Sequence, residues 1–451
     1  MSKPRRIYSI DIFRGMTIAL MIIVNNPGSW AHIYAPFRHA KWHGCTLTDL
    51  VFPFFLFIVG AAMRFAFIRW HSYPSKDFIK HVFWRIVSIF LAGCFIHAYP
   101  FIQQDWDWSS FRIMGVLQRI ALAYGIAAII VMYLDLRKLL IAGSGMLVFY
   151  WGLLWLGGGS DPYGLGNNLI RKIDILILGE QHLYGGTGIQ FDPEGLLSTI
   201  PSVVTVLIGY LVGAMLHTTK DFLDNIKRMS ILGTALIIGG LIWGLIFPIN
   251  KQLWTSSYVL YTGGIATLVL AILSWMVDIK KWKKPLWVFE VFGTNSLLLF
   301  VLSGIWAKTI LRISFTLNGD TISGYSYLYR SLFVPLAGDL AKALEVLNDN
   351  RVGVVYDVAN GFFAGEDPAT GLKTLGNRIE LVHLSDTGRN QWRHDPIGTG
   401  EVDFRSVAEA IRSIGFSGQS VMEIISANPD HDLPESRGLL AQWGWQESSE
   451  G

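Results

Sequence analysis

The sequence predicts an all-α polytopic membrane bundle of about nine spans, followed by a smaller α/β segment. Hydrophobic residues make up 51% of the 451 residues, charged residues make up only 16%, and the mean hydropathy is +0.39. This balance is too apolar for an ordinary soluble domain. The apolar runs end near Trp306, and charged residues recur every few positions after Asp339. We therefore expect a transmembrane module over 1–338 and a module of soluble character over 339–451.

Nine windows are apolar for long enough to cross a hydrocarbon layer about 30 Å thick. They are residues 8–26, 48–70, 81–101, 113–134, 139–157, 196–217, 229–249, 256–277 and 286–311. The N-terminal segment is basic and then apolar, as in a signal peptide, but no small-residue cleavage site follows it. We expect the first window to be retained as a span.

The loops between the predicted spans differ in charge. When the chain is threaded through nine spans, the loops on the N-terminal side hold most of the lysine and arginine residues. The positive-inside rule then places the N-terminus in the cytoplasm and the loops 27–47 and 158–195 outside. We expect a multi-pass protein of the cell inner (plasma) membrane, in contact with lipid.

The net charge and the cysteine content limit which other partners and cofactors we expect. The net charge of +3 reflects basic residues in loops between spans, so we expect no nucleic-acid partner. Cys45 and Cys94 are too few for a disulfide framework or a thiolate metal site. A homo-oligomer is compatible with the sequence.

A few charged side chains fall inside predicted spans, where they are costly unless they face a bundle interior or a watery cavity. Asp11 and Arg14 are three residues apart in the first span, so they share a helix face and can neutralise each other. Arg119 lies well inside the fourth span and requires an anionic partner or a ligand. Asn25 closes the first span, where an asparagine either caps the helix or serves a site.

The loop from Asn25 to Asp49 carries His32, His39 and His43 among aromatic residues. His39 and His43 have the spacing of a helical zinc pair, but the cysteines and carboxylates that would complete such a site are missing or distant. A neutral imidazole is better suited to accept a proton from an incoming nucleophile. A histidine with no special role is the alternative.

The same region resembles the heparan-alpha-glucosaminide N-acetyltransferase family and its bacterial relatives. The first matching blocks are SIDIFRGMTIALMIIVNNPG and FRHAKWHGCTLTDLVFPFFLFIVG. Later blocks are RIMGVLQRIALAY at 112–124, FDPEGLLSTIPSVVTVLIGYLVG at 191–213, FPINKQLWTSSYVLYTGG at 247–264 and FGTNSLLLF at 292–300. The blocks occur in order from residue 7 to about residue 338.

This resemblance implies an integral membrane acyltransferase that moves acetyl from cytoplasmic acetyl-CoA to an amino sugar or glycan across the membrane. The family's catalytic histidine falls on His39 and its functional asparagine on Asn25. His43 has no such support, because the animal enzymes carry a different residue there. The chemistry also requires cations at the coenzyme phosphates, for which Arg14 and Arg119 are the candidates.

The C-terminal segment alternates short apolar strands with amphipathic helices. We predict strands over 352–357, 379–384 and 420–425 and helices over about 367–376, 403–414 and 434–443. The blocks VVYDVAN, LVHLSDTG, RHDPIGTGEVDF and SVMEII resemble the closing third of a xylose isomerase-like TIM barrel. By this resemblance the fold is a partial, incomplete TIM-barrel-like segment.

In the barrel family the metal ligands map onto Asp357, His383 and Glu423, each at the C-terminal end of a strand. A further glutamate from an earlier strand is missing, and three βα units do not close an eight-stranded barrel. We expect no isomerase activity from the tail, and a divalent metal only if the tail is functional.

Two other classes of protein remain open. Arg119 and Gln118 inside a span are also compatible with a sugar transporter or permease without acyl transfer. Such a protein would take up sugar without acetyl-CoA. A non-catalytic membrane scaffold is the third interpretation, and it would not bind the coenzyme.

Overall fold

The computed structural model describes most of the chain. The described residues are 7–26, 34–68, 75–101, 108–218, 222–317, 320–328, 331, 352–389 and 392–445. Within them the chain forms two compact units, Met1–Thr309 and Ile310–Gly451, and each is described by itself below.

The first unit is a helical bundle. Its helices are α1 (Tyr8–Asn25), α2 (Val51–Phe67), α3 (Lys76–Ala98), α4 (Val116–Tyr133), α5 (Leu136–Gly157), α6 (Leu169–Leu178), α7 (Thr199–Thr218), α8 (Phe222–Gly244), α9 (Ser256–Leu273), α10 (Trp287–Thr294) and α11 (Ser296–Arg312). Eight of the described helices are long and apolar enough to cross a membrane. The predicted all-α polytopic bundle is confirmed, and the chain is a multi-pass membrane protein.

The ninth predicted span is a broken helix. Lys284–Thr294 and Ser296–Arg312 pass the length and hydropathy test together, but their axes are bent by 77°. Asn295 lies between the two halves, and its side-chain amide donates to the carbonyl of Val291 at 3.0 Å. The bend therefore starts a new helix at Ser296, whose first N–H groups have no carbonyl within the helix.

Helix α7 forms the centre of the bundle, because 83% of its apolar window is buried against 11% for α3. Glycines let α2 and α7 approach closely. A Cβ atom on Gly60 would lie 1.9 Å from the carbonyl oxygen of Val206, and one on Gly209 would lie 1.9 Å from that of Phe57. Small residues at such crossings provide the packing that replaces hydrophobic driving force in lipid.

A second close crossing joins α1 to α10. A Cβ atom on Gly15 would lie 1.7 Å from the carbonyl oxygen of Phe289, and one on Gly293 would lie 1.8 Å from that of Asp11. Arg14 donates to the carbonyl of Gly293 at 3.2 Å and reaches Asp11 at 3.4 Å. The predicted ion pair within α1 is thus present, and it lies at this crossing.

The second unit contains two small sheets. Strands β1 (Ser314–Leu317) and β2 (Asp320–Ser323) form an antiparallel pair, and the short helix α12 (Gly324–Leu328) follows. Strands β3 (Val354–Asp357), β4 (Ile379–Leu384) and β5 (Gln419–Met422) form a parallel sheet in the order β3-β4-β5. The helices beside it are α13 (Val358–Phe363), α14 (Pro368–Leu375), α15 (Phe404–Ser413) and α16 (Pro429–Gln442).

The strands of the described part of this unit do not close a barrel, so the predicted partial α/β fold is confirmed. Its apolar core includes Tyr356, Leu372, Val382, Phe404 and Leu440. The predicted domain boundary at residue 338 falls within 332–351, outside the described residues, and stays a prediction.

Candidate functional site

A cavity of about 710 Å³ lies at the end of the bundle that carries the loop 34–47. Its wall contains the ends of α1 and α2 and parts of the segments 184–194 and 251–252. The polar residues of this first cavity are Asn25, His39, Lys41, Thr48, Arg112, Tyr184, Thr187, Glu194, Lys251 and Gln252. The two catalytic residues implied by the resemblance, His39 and Asn25, therefore line one cavity, whereas His32 lies outside the described residues.

His39 is paired with a buried carboxylate. Its Nδ1 atom lies 2.6 Å from Oδ1 of Asp49, whose side chain is 2% exposed while that of His39 is 50% exposed. A carboxylate only accepts hydrogen bonds, so the hydrogen of a neutral His39 is on Nδ1. The lone pair is then on Nε2, which is the atom available to accept a proton.

The Asp49 carboxylate is itself held by the turn that precedes α2. Oδ2 accepts hydrogen bonds from the backbone N–H groups of Ala40 and Thr46, both at 3.0 Å, and from the Thr46 hydroxyl at 3.0 Å. The Tyr258 hydroxyl donates to the backbone carbonyl of Asp49 at 2.5 Å. These contacts fix the carboxylate, and through it the orientation of the imidazole.

Lys251 reaches the same pair from the turn between α8 and α9. Its Nζ atom lies 3.6 Å from Oδ1 of Asp49 and 3.3 Å from Nδ1 of His39. Cys45 also lies nearby, but burial, with a contribution from Asp49, raises the pKa of its thiol to about 12. The thiol is therefore protonated at neutral pH, and a thiol is a much weaker nucleophile than a thiolate.

A charged cluster forms another wall of the first cavity. Arg112 donates to both carboxylate oxygens of Asp192 at 2.9 and 2.8 Å and to Glu194 at 2.6 Å. Its guanidinium lies 4.7 Å from the centre of the Tyr184 ring. Burial alone would raise the pKa of Glu194, but Arg112 holds it below its usual range. Glu194 is therefore an anion that faces the cavity.

Arg119 is buried beneath this wall and is not among the residues that line the cavity. It donates to the Gly195 carbonyl at 3.1 Å and to the Ser198 hydroxyl, and its guanidinium lies 5.2 Å from the Trp254 ring. Glu194 and Asp192 are close enough to interact with it electrostatically. These contacts supply the anionic surroundings that the sequence requires for Arg119. Its predicted contact with a coenzyme stays a prediction.

A second cavity, of about 960 Å³, lies further along the bundle. Arg14, His81, Arg85 and the start of α11 contribute its polar wall, and most of the remaining wall is apolar. Phe55 and Phe300 line both cavities, and their ring centres are 6.5 Å apart in an edge-to-face arrangement. The two cavities are therefore separated at this point by a pair of aromatic side chains.

The predicted ligands of the tail lie at the C-terminal ends of the parallel strands. Asp357, Glu423 and His394 each place a ligand atom within 4.8 Å of the others. His383 instead contacts Glu423, with 2.5 Å between Nδ1 and Oε2. Two carboxylates and an imidazole suit zinc or a similar divalent ion by donor type. The three clustered residues could hold such an ion, and nothing below depends on it.

Comparison with known proteins identifies the helical part. The family model described as heparan-alpha-glucosaminide N-acetyltransferase, catalytic, matches residues 6–240. The chain belongs to the heparan-alpha-glucosaminide N-acetyltransferase family. The human heparan-alpha-glucosaminide N-acetyltransferase (Homo sapiens) is 30% identical over 356 residues, and the mouse protein of the same name (Mus musculus) is 29% identical over 358. The resemblance drawn from the sequence blocks is thereby confirmed.

Both matches to heparan-alpha-glucosaminide N-acetyltransferase cover 66% of this chain, and they cover 52% of the human and 53% of the mouse protein. The chain thus spans about half the length of the curated relatives it matches. A second family model, the xylose isomerase-like TIM barrel, matches residues 320–443, which confirms the resemblance drawn for the tail.

The sequence alone does not identify Asp49, Lys251 and His394 as site residues. Asp49 lies in the block FRHAKWHGCTLTDLVFPFFLFIVG and Lys251 in FPINKQLWTSSYVLYTGG, but no local pattern links the two residues to His39. His394 lies inside the block RHDPIGTGEVDF, but its place beside Asp357 and Glu423 depends on the fold. The sequence offers one indication of their importance, which is that each residue lies in a block that resembles a known family.

Proposed function

We propose that this protein transfers an acetyl group from acetyl-CoA to the amine of an amino sugar, with His39 as the base. The observation that carries the proposal is that His39 and Asn25 line one cavity and that Asp49 orients the imidazole. An amine loses a proton as it attacks a thioester, and Nε2 of His39 is the atom that accepts it. The relatives named above are N-acetyltransferases, which supports this reaction type.

Asn25 supplies the second chemical requirement, a hydrogen-bond donor for the negative charge that develops on the carbonyl oxygen. When the amine nitrogen bonds to the acetyl carbon, the carbonyl oxygen becomes negative, and a side-chain amide that faces the cavity can donate to it. The carbon–sulfur bond then breaks and the coenzyme thiolate leaves. His39 could instead accept the acetyl group before the amine attacks, and the same geometry serves that order of events.

We further propose that the second cavity binds the phosphates of acetyl-CoA. Arg14 and Arg85 supply cations there, His81 adds an imidazole, and the N-terminus of α11 adds N–H groups and a positive helix dipole. The α11 end is available only because the ninth span is bent. The sequence-based prediction that Arg14 contacts the coenzyme gains support from this position.

The distance between the two cavities suits an extended carrier arm. Arg14 and Asn25 are eleven residues apart on α1, which is about 16 Å along a helix. The apolar wall of the second cavity and the rings of Phe55 and Phe300 mark the path of the pantetheine arm. The distribution of basic residues supports a cytoplasmic N-terminus, so the coenzyme enters from the cytoplasm and the sugar from outside.

Thiol release tests the proposed reaction. Purified protein in detergent is mixed with acetyl-CoA and glucosamine, and free thiol is measured. Replacement of His39 by alanine is expected to lower kcat/KM by about 10²- to 10⁴-fold, the usual contribution of a general base. His43→Asn is the matched control, because His43 is also exposed and lies four residues away but does not line the cavity. A rate that is the same for His39→Ala and wild type would refute the assignment.

The permease alternative also has an observation in its favour, since Phe55 and Phe300 line both cavities and so separate two compartments. It predicts uptake of radiolabelled glucosamine into vesicles without acetyl-CoA. Uptake that needs acetyl-CoA and yields the N-acetylated sugar supports the transferase.

A further inference from the structure

A hydrogen-bonded turn holds Lys251 against the loop that carries His39. The backbone N–H of Leu253 donates to the Asn250 side chain at 2.9 Å, and that of Asn250 donates to the Thr255 hydroxyl at 3.0 Å. The backbone N–H of Gly44 donates to the carbonyl of Ile249 at 2.7 Å, which joins the turn to the loop that carries His39. The position of Lys251 relative to His39 is therefore set by the fold.

The Asp49 carboxylate lies between an imidazole and an ammonium group. Its contact with Nδ1 of His39, at 2.6 Å, is shorter than its 3.6 Å separation from Nζ of Lys251. The shorter contact places the hydrogen on Nδ1, so the 3.3 Å approach of Nζ to Nδ1 joins two donors rather than forming a hydrogen bond. Lys251 is 18% exposed and lines the first cavity.

We infer that Lys251 is a positioning residue of the transfer site, whose ammonium pairs with Asp49 and makes His39 hold a proton only transiently. This inference rests on the proposed acetyl transfer and adds a residue to it. With a neutral imidazole, the charges of Asp49 and Lys251 cancel. A protonated imidazole leaves a net positive charge within a few ångströms, and like charges at this distance repel.

This repulsion favours transfer of the proton from His39 to the leaving thiolate. As the amine forms its bond to the acetyl carbon, its N–H proton moves to Nε2 of His39. As the carbon–sulfur bond breaks, the electron pair stays on sulfur and the proton passes from Nε2 to the thiolate. The site is then neutral again, and the products are the amide and the free thiol.

Other charged or titratable groups line the same cavity or lie on the same loop as His39, and the variants leave them unchanged. They are Asp49, which pairs with His39, the cavity-lining residues Lys41, Arg112 and Glu194, and His43 and Cys45 on the same loop. Burial lowers the pKa of His43, while Asp161 opposes this effect. A change in the pH dependence of His39 modification after substitution of Lys251 is therefore attributed to the loss of the Lys251 ammonium group.

Chemical modification of His39 tests the inference without catalysis. Diethyl pyrocarbonate reacts with neutral imidazole, and mass spectrometry of the full-length protein locates the adduct on His39. In Lys251→Met the pH midpoint of this modification is expected to rise by about one unit, a tenfold change in the protonation equilibrium. Lys251→Arg keeps the charge and is expected to keep the wild-type midpoint.

Lys251→Gln provides a second neutral variant, in case the methionine variant does not fold. An identical midpoint in the wild type and a folded neutral variant would overturn the inference. The activity assay gives the second readout, because the acid limb of kcat/KM should move to higher pH in the neutral variants and not in Lys251→Arg. If the wild-type protein releases no thiol, the proposed function fails, while the modification experiment still decides the role of Lys251.

Discussion

Asp174→Asn is expected to stabilise the protein at neutral pH and to make its stability less dependent on pH. Asp174 lies on α6, outside the candidate spans, and is fully buried. Its Oδ1 accepts from the backbone N–H of Leu196 at 2.9 Å, while Oδ2 has no hydrogen-bond partner among the described residues. Burial raises the pKa of this carboxyl from 3.8 to about 7.

The sign and size of the change in the free energy of unfolding follow from this pKa. Between pH 4 and 7, roughly, the unfolded chain has an ionised carboxyl while the folded protein keeps it protonated, so the free energy of unfolding falls as pH rises. About three pH units at about 1.4 kcal/mol each give a loss of about 4 kcal/mol at pH 7. An asparagine cannot ionise and still accepts from Leu196, so the variant avoids this loss.

The assay is the melting temperature of the detergent-purified protein at pH 5, 6, 7 and 8. The variant should melt above the wild type by a difference that grows from pH 5 to pH 7 and then levels off. Asp135→Asn is the control, because Asp135 is an exposed helix cap whose pKa is lowered chiefly by the backbone N–H of Lys138. A difference between Asp174→Asn and wild type that does not change with pH would refute the reasoning.

Three further substitutions test the coenzyme site and the helix crossing. Arg14→Met and Arg85→Met should each raise the KM for acetyl-CoA about tenfold and change kcat little. The reason is that each variant loses a phosphate contact worth about 1.4 kcal/mol. An unchanged KM in both variants would contradict the phosphate site. Gly293→Val should cost about 1–3 kcal/mol or more, because its Cβ would lie 1.8 Å from a carbonyl oxygen. Thermal melting measures this cost, with Gly152→Ala as the control, since its added Cβ meets nothing within 4 Å apart from the backbone of its own helix turn. Equal losses in the two variants would contradict the prediction.

The secondary structure was largely predictable because bilayer thickness and hydrophobic periodicity act locally. The eight straight spans fall within the predicted windows or overlap them, and the strands at 379–384 and near 354 and 420 lie where alternation predicts them. The bend at Asn295 was not predicted. Hydropathy over a window reports apolar content and contains no information on the direction of the helix axis.

The site was predictable only in part, because its contacts join distant residues. His39 and Asn25 were assigned through motif resemblance, and the structure places both on one cavity. The contact of Lys251 with His39 spans 212 residues of sequence, and no local pattern specifies it. Likewise, His394 clusters with Asp357 and Glu423 while His383 contacts Glu423, because strand register and loop path decide where each imidazole lies.

The glycine crossing of α1 and α10 has a mechanical consequence. Backbones that meet through Gly15 and Gly293 leave no layer of side chains to deform, so the two helices are expected to move as one rigid piece. Helix α11 starts beyond the 77° bend and is not part of that crossing. Any change in the angle of α11 must therefore be absorbed by the backbone at 294–296. These residues lie beside the second cavity, because Thr294, Asn295 and Ser296 form part of its wall.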